Sequence, residues 1–223
     1  MSKLHEHITP TIPESNGVKV TSDKTGARKS FYRLCIFYVV EGFRAAIPSG
    51  LFSLTDEEDI SDLIVTHIEQ SFVRDEIESI DVDAEKRDRT IPVDGIVVKA
   101  KKRKRFDFVF KSFERPIVRE MFTAEAKILK ATDNDLLKKY VSEKGMRKYI
   151  DCHYKQPGFM IGYIMQSKPS EIHSKLNEII EKDTSYASSE KLELQESING
   201  HNHFYKSEHP KIILEHLLLD LNG

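Results

Sequence analysis

Two neighbouring stretches of the sequence alternate between apolar and polar residues, and this pattern constrains the fold more than any other feature. In the first stretch, every second residue from 106 to 110 is phenylalanine, and Asp107 lies between two of them. In the second, apolar residues at the even positions from 122 to 128 alternate with Thr123, Glu125 and Lys127. Residues i and i+2 of a strand share a face. Both stretches are therefore predicted to be strands, with the three phenylalanines together in the core and Asp107 on the opposite face.

If these strands pair as a hairpin, Asp107, Glu125 and Lys127 converge on one polar patch. Two carboxylates supply the oxygen ligands that a hard divalent cation such as Mg²⁺ prefers. Such a cation and a neighbouring amine polarise a phosphate, and they orient or help to deprotonate an attacking water. The pattern therefore favours metal-assisted attack of water on a phosphate.

Helical periodicity precedes the two strands. Apolar spacing predicts a helix over residues 28–47, although a strand over 34–40 is also compatible with the residues there. A second helix is predicted to begin after Thr55 as its N-cap, with Glu58 completing a capping box. Alternation of apolar and polar residues from Ser79 onward predicts a half-buried strand. A further strand or a loop is compatible with residues 91–98.

The C-terminal half continues with alternating element types. Thr132 and Asp133 are predicted to open a long helix that ends near Tyr149, and residues 158–165 to form a buried strand. A further helix is predicted after Ser170 as its cap. Asn199-Gly200 predicts a tight hairpin turn because both residues accept positive φ angles. The last apolar stretch, residues 211–221, is compatible with a strand or a helix.

This order of elements predicts an α/β or α+β fold with a central mixed sheet flanked by helices. Residues 1–26 are rich in polar residues, proline and glycine, and are expected to be an irregular arm. Residues 27–223 are expected to form a single domain, because a chain of 223 residues is long enough for one core.

The charge balance limits how this chain could bind nucleic acid. Lys and Arg total 34 and Asp and Glu total 36, a formal net charge of −2, which excludes binding through uniform positive charge. A local basic patch remains compatible with this total. Two cysteines exclude a disulfide framework and a Cys-rich zinc module. Because membrane-spanning and signal-like stretches are absent from the sequence, a soluble, cytoplasmic protein is expected.

The motif on the two strands resembles that of the PD-(D/E)XK, or restriction-endonuclease-like, nucleases. Asp107 is followed, after seventeen residues, by Glu125-Ala126-Lys127. The predicted helix before the strands, and the long helix and strand after them, match the order of that family. The proline that commonly precedes the aspartate is replaced by Phe106. The resemblance covers about residues 55–168, which would form the core, with residues 169–223 as a C-terminal helix and hairpin extension.

The resemblance implies Mg²⁺-dependent hydrolysis of DNA phosphodiester bonds, with Mn²⁺ as an alternative cation. Asp107, Glu125 and the carbonyl of Ala126 would be the metal ligands, and Lys127 would be the catalytic lysine. Members of the family often act in bacterial restriction or anti-phage defence. A homo-oligomer, or regulatory partner proteins of a defence system, would then control the enzyme.

Many members of the family add an acid from the helix before the strands. Glu58 or Glu57 is the candidate here, and Glu69 is the next choice. The alternative for Glu57 and Glu58 is ordinary capping of a helix N-terminus, where acidic residues are favoured by the helix dipole.

Two further features have a functional and a structural interpretation. The basic run is a candidate contact to the DNA backbone, and its alternative is a solvated loop or a charged edge strand. The run begins at Lys99, and its candidate contact residues are Lys101, Lys102, Arg103, Lys104 and Arg105. His201-Asn202-His203 spells HNH, but the spacing of that nuclease motif does not follow, so a hairpin strand is predicted instead.

The alternative function is a non-catalytic subunit that binds nucleic acid or protein through a degenerate nuclease fold. In that case Asp107, Glu125 and Lys127 would form a surface salt-bridge cluster. The two hypotheses differ in the position of the two carboxylates, which must lie within reach of one cation in an enzyme and need not do so in a binding subunit.

Overall fold

The computed structural model describes residues 24–87, 105–112, 120–151, 153–154 and 156–222. Predictions for residues 1–23, 91–98 and 101–104 lie outside the described residues. The first helix begins inside the segment predicted to be an irregular arm. In chain order the elements are α1 Lys24–Ala46, α2 Glu57–Arg74, β1 Ile80–Arg87, β2 Arg105–Ser112, β3 Met121–Leu129, α3 Asn134–Val141, α4 Arg147–Ile150, β4 Gly158–Ile164, α5 Pro169–Lys182, β5 Glu193–Leu194, β6 Phe204–Glu208 and β7 Ile213–Asp220.

The seven described strands form one mixed sheet in the order β1-β2-β3-β4-β7-β6-β5. β1, β2 and β3 are antiparallel neighbours, β3, β4 and β7 are parallel, and the β7-β6-β5 side is again antiparallel. The parallel strands lie at the centre, and β4 is buried along almost its whole length. The predicted fold class, a mixed sheet with flanking helices, is confirmed.

Helices cover both faces of this sheet. Residues of α1 and α2 belong to one cluster of buried side chains, and residues of α3, α4 and α5 belong to a second cluster. A Cβ atom at Gly42 of α1 would lie 2.5 Å from the side chain of Ile68 and 2.9 Å from the carbonyl of Ile64. The close contact between α1 and α2 therefore requires glycine at this position. Among the described residues, no helix combines the length and the apolar character needed to cross a bilayer.

The alternation of β2 is interrupted at Asp107. Phe108 and Phe110 lie in the first cluster, as predicted. Phe106, which was predicted to share their face, lies in the second cluster, where its ring centroid is 4.5 Å from that of Tyr154. The strand therefore changes its packing partners at the residue where the candidate site begins.

Two predicted helix caps are wrong by one or two residues. The N-cap of α2 is Asp56 and not Thr55, because the carboxylate of Asp56 accepts the backbone N–H of Glu58 at 2.9 Å. Pro169 occupies the first position of α5, ahead of the predicted cap at Ser170. Proline suits that position because the first N–H groups of a helix have no partner within the helix.

The long helix predicted to end near Tyr149 is also wrong, because α3 ends at Val141 and α4 is a separate short helix. A Cβ atom at Gly145 would lie 2.0 Å from the carbonyl oxygen of Tyr140, so the backbone folds back onto α3 at this glycine. The N–H of Met146 donates to the same carbonyl at 2.8 Å. This turn changes the direction of α4 and determines which of its side chains face the sheet.

The segment predicted to be a C-terminal extension supplies three strands of the same sheet, and β7 lies beside β4 at its centre. The final stretch is thus a strand and not a helix. The hairpin turn is confirmed: Asn199 has φ 47° and Gly200 has φ 70°, and Ile198 bridges to His201 across the turn. Both positive φ angles are those that a two-residue hairpin requires.

A chain of hydrogen bonds joins the C-terminal strands to α3. His209 Nδ1 lies 2.9 Å from Glu190 Oε1, and its Nε2 lies 2.7 Å from the Ser207 hydroxyl. The same hydroxyl lies 2.8 Å from Nε2 of His216, whose Nδ1 is 3.0 Å from the hydroxyl of Tyr140. All five residues are buried.

The donor direction along this chain follows from its charges. Burial lowers the pKa of His216 to about 3 and also lowers the pKa of His209, so both rings are neutral at pH 7. The carboxylate of Glu190 only accepts, so His209 donates through Nδ1 and accepts the Ser207 proton at Nε2. Ser207 then accepts from His216, which accepts from Tyr140. Ser207 is fully buried and satisfied from both sides, which makes it a structural residue rather than a nucleophile.

We expect Ser207→Ala to lower the free energy of unfolding by about 2–4 kcal/mol, because it leaves two buried ring nitrogens without partners. Urea denaturation measures this loss. Ser174→Ala, which removes an exposed hydroxyl bonded to its own helix, is the control and should change stability by less than ~0.5 kcal/mol. Equal effects of the two substitutions would contradict the structural role of Ser207 in this chain of hydrogen bonds.

Candidate active site

β2 and β3 separate at the position of the sequence motif. Their pairing extends from Lys111 opposite Met121 to Phe108 opposite Ala124. Immediately beyond it, Asp107 Oδ2 accepts the backbone N–H of Ala126 at 2.6 Å. A carboxylate thus takes the place of a strand carbonyl, and a fork opens between the two strands.

A second carboxylate enters this fork from the N-terminus of α2. Glu57 Oε2 accepts the backbone N–H of Ile128 at 3.1 Å, and Glu57 Oε1 accepts from the Lys127 ammonium at 2.8 Å. Glu57 therefore makes the contact for which Glu58 was the first choice. Glu57 is the first residue of α2, and the next residue is turned by about 100° around the helix axis.

Lys127 lies at the centre of the site. Its Nζ is 2.9 Å from Glu125 Oε1 and 3.8 Å from Asp107 Oδ2, and it also donates to the carbonyl of Ala126. With Glu57, four oxygen groups surround one ammonium whose side chain is 14% exposed. The predicted convergence of Asp107, Glu125 and Lys127 is thus present in the structure.

Two residues of the α4 region that the motif does not include hold Glu125. Lys148 of α4 forms an ion pair with Glu125 Oε1, and the Tyr154 hydroxyl donates to Glu125 Oε2 at 3.0 Å. The side chain of Glu125 is 3% exposed. Tyr154 is itself placed by its backbone N–H, which donates to the carbonyl of Lys148 at 2.8 Å. These contacts depend on the turn at Gly145, which helical periodicity alone did not predict.

The site concentrates negative charge out of water. Burial and the charge of Glu125 raise the pKa of Asp107 to about 7, while Lys127 and the Ala126 N–H act in the opposite direction. Burial alone would lower the pKa of Lys127, but the charges of Glu125, Asp107 and Glu57 outweigh it and raise that pKa above its ordinary value. These carboxylates therefore favour the ammonium form of Lys127.

The oxygen atoms of this site are the type of ligand that a hard divalent cation prefers. Asp107, Glu125 and the carbonyl of Ala126 present only oxygen atoms, and all three already surround a positive charge, that of Lys127. In the part of the chain that the structure describes, no group of three or more histidine, cysteine, aspartate or glutamate side chains is arranged to hold a metal ion by itself. A cation here would depend on two carboxylates and a backbone carbonyl.

The other candidate residues lie elsewhere or are not described. Glu69 lies outside the fork. Burial raises its pKa, and so do its acidic neighbours Asp81, Asp83 and Asp62. Arg105 begins β2, and Lys101, Lys102, Arg103 and Lys104 lie outside the described residues.

The histidines of the HNH sequence are hairpin residues, as predicted. Nε2 of His201 lies 2.9 Å from the carbonyl of Leu218, and its ring is 5.8 Å from that of His203. Burial lowers the pKa of His201 to about 4. This hydrogen bond fixes His201 within the sheet, which is a structural role.

The raised pKa of Asp107 predicts how the site affects stability. The folded state keeps this proton up to about pH 7, whereas the unfolded chain loses it near the ordinary value of 3.8, so the group's contribution to stability falls as pH rises between these values. We expect Asp107→Asn, which removes the charge but retains an acceptor for Ala126, to stabilise the protein at pH 8 by on the order of 1–3 kcal/mol.

Thermal or urea unfolding at pH 8 and at pH 5 measures this difference, which should shrink at the lower pH. Asp62→Asn removes an exposed carboxylate on α2 and serves as the control, with no comparable gain expected at either pH. A stability of Asp107→Asn below that of the wild type at pH 8 would show that the burial cost of the charge is not the dominant effect.

Comparisons with models of protein families, with curated proteins and with solved structures found no match to this chain. The resemblance to the PD-(D/E)XK nucleases therefore depends on the sequence motif alone and stays a prediction. An activity for this site has to be inferred from its chemistry.

Proposed function

We propose that this protein is a metal-dependent nuclease that hydrolyses DNA phosphodiester bonds at the fork between β2 and β3. The observation that carries the proposal is the arrangement of three carboxylates, a backbone carbonyl and an ammonium within one hydrogen-bonded group. Metal-dependent hydrolysis of a phosphodiester uses oxygen ligands for a hard cation, and a fixed positive charge beside the phosphate stabilises its transition state. Both requirements are supported by the geometry of the site.

Each residue has a role in this proposal. Asp107, Glu125 and the Ala126 carbonyl would hold Mg²⁺ or Mn²⁺, which when bound supplies Lewis acidity at a phosphate oxygen. Lys127 would bind the phosphate and stabilise the charge that develops on it. The carboxylates around Lys127 raise its pKa, which favours a role for the ammonium in orienting the attacking water. Glu57 would position the ammonium through its 2.8 Å contact.

The wider setting is also part of the proposal. The basic residues 101–105 lead directly into β2 and Asp107, which favours a contact with the DNA backbone next to the site. We propose a role as the effector of a bacterial restriction or anti-phage defence system in the cytoplasm. Control by self-association or by partner proteins would be needed, since an uncontrolled nuclease would damage its own host.

A non-catalytic binding subunit is the second candidate, and one observation favours it. Lys127 and Lys148 already neutralise part of the charge of Glu125, so the cluster is internally paired without a metal. Structural ion-pair networks also perturb pKa values. The two candidates therefore differ in whether a divalent cation binds at the fork.

Divalent cation binding separates these candidates directly. We expect millimolar Mg²⁺ or Mn²⁺ to raise the unfolding temperature of the wild-type protein, because a ligand that binds only the folded state stabilises it. Glu125→Gln should abolish this rise. Glu193→Gln, at an exposed carboxylate of β5, should retain it. Absence of any rise in the wild type would favour the non-catalytic subunit.

Cleavage of supercoiled plasmid in Mg²⁺ tests the activity itself. We expect Lys127→Ala to reduce the rate by about 100-fold or more, since removing one group that stabilises the transition state typically costs that much. Lys182→Ala, at a lysine whose side chain is 78% exposed on α5, is the matched control and should cleave at the wild-type rate. Cleavage that survives Lys127→Ala and Glu125→Gln would exclude this site.

A neighbouring pair of glutamates tests the contribution of α2. Glu57→Gln keeps an acceptor for Ile128 but removes the charge beside Lys127, so we expect about a tenfold slower cleavage. Glu58→Gln, one residue further along the helix, should remain within about twofold of the wild type. A larger loss of activity in Glu58→Gln than in Glu57→Gln would show that Glu58 is the acid of α2 that joins the site.

A further inference from the structure

A cavity of about 990 Å³ opens between α1 and the N-terminal ends of the parallel strands. Its floor includes Phe122 of β3 and Gly158 of β4, and its wall continues over Ile213 of β7. This size is at the upper end of the range for small-molecule sites. The cavity does not include the carboxylates of the fork, so it is a separate site on the molecule.

The lining combines aromatic rings with groups that form hydrogen bonds. Lys29, Tyr32 and Arg33 lie at helical spacing on one face of α1 and form one side of the cavity. Tyr32 also stacks on Phe122, with ring centroids 4.2 Å apart and planes 11° from parallel. One side of the cavity is therefore both aromatic and cationic.

The rest of the lining carries two amides, which are uncharged, and two carboxylates, one of which, that of Glu215, lies close enough to Arg33 to feel its charge. Gln156 precedes β4, Gln195 and Glu196 follow β5, and Glu215 lies on β7. A ligand that fits this lining has a phosphate group that binds the two cations of α1. It also has a planar ring whose polar edge forms hydrogen bonds with the amides and carboxylates. A nucleotide has this combination, because its bases stack on aromatic side chains and present both donors and acceptors.

The cavity contacts the candidate active site through two tyrosines. Tyr149 and Tyr154 line it, and their hydroxyl groups bond to residues of β3. Tyr149 lies 3.2 Å from the Thr123 hydroxyl, and Tyr154 donates to Glu125 at 3.0 Å. A ligand that packs against Tyr154 would therefore touch a side chain that holds a candidate metal ligand.

We propose that this cavity binds a nucleobase with its attached phosphate, and that Tyr154 transmits its occupancy to Glu125. The binding of the nucleotide stands on the cavity alone, whereas the effect on cleavage rests on the proposed function. The base belongs either to a free nucleotide or to a DNA strand whose scissile phosphate lies at the fork.

Isothermal titration calorimetry with the full-length protein tests the binding. We expect dAMP to bind at least tenfold more tightly than deoxyribose 5-phosphate, a difference of about 1.4 kcal/mol, because only dAMP carries a base. Lys29→Glu and Arg33→Glu should each weaken dAMP binding by about tenfold or more. Lys182→Glu reverses an exposed charge outside the cavity and should leave binding unchanged.

Equal affinity for the two probes, absence of dAMP binding at millimolar concentration, or the same weakening by Lys182→Glu would overturn the proposal. A short oligodeoxyadenylate distinguishes the two sources of the base. Tighter binding of the strand than of dAMP, weakened by Arg33→Glu, assigns the cavity to DNA, and binding of dAMP alone assigns it to a free nucleotide.

Tyr154→Phe separates this inference from the proposed function. It keeps the ring that lines the cavity and removes the bond to Glu125, so dAMP binding should persist while plasmid cleavage slows. Binding of dAMP with the expected response to Arg33→Glu in a protein that does not cleave would leave the cavity assignment standing and remove the nuclease. Cleavage by a protein that does not bind dAMP would do the reverse.

Discussion

The separation of β2 from β3 is the constraint on which the rest of the site depends. Beyond Phe108 and Ala124, the N–H groups of Ala126 and Ile128 on the β2 side of β3 need acceptors other than strand carbonyls, since unpaired backbone groups inside a protein are costly. Asp107 and Glu57 supply them. These two carboxylates are therefore held in the fork by the same bonds that satisfy the backbone of β3.

Buried carboxylates as acceptors cost more free energy of folding than continued strand pairing would. Strand carbonyls would satisfy the same N–H groups without burying charge. Three carboxylates lie within reach of the Lys127 ammonium, and the pKa of Asp107 is raised to about 7 as a result of burial and repulsion by Glu125. A sheet selected for stability alone would have no reason to diverge here. Charge accumulated at the expense of stability is typical of functional sites, which supports catalysis over a purely structural role.

The period-2 pattern was sufficient to predict the convergence of Asp107, Glu125 and Lys127, because a strand admits only two faces. It was insufficient at Phe106, where β2 still pairs with β1 but has separated from β3, and where the ring packs in the second cluster. The sequence left Glu57 and Glu58 as alternatives for a related reason. A one-residue difference in the helix start turns a side chain by about 100°, and the N-cap at Asp56 was not distinguishable from Thr55 by residue type.

Lys148 and Tyr154 could not be predicted from spacing, because their positions depend on a break within an apparently continuous helical pattern. The turn at Gly145 is made by contacts with Tyr140, several residues earlier. Tyr140 is in turn fixed by its bond to His216 on the central strand β7. The C-terminal strands therefore support the turn that places Lys148 and Tyr154 against Glu125. This dependence explains why a segment predicted to be an extension, residues 169–223, is integral to the candidate site.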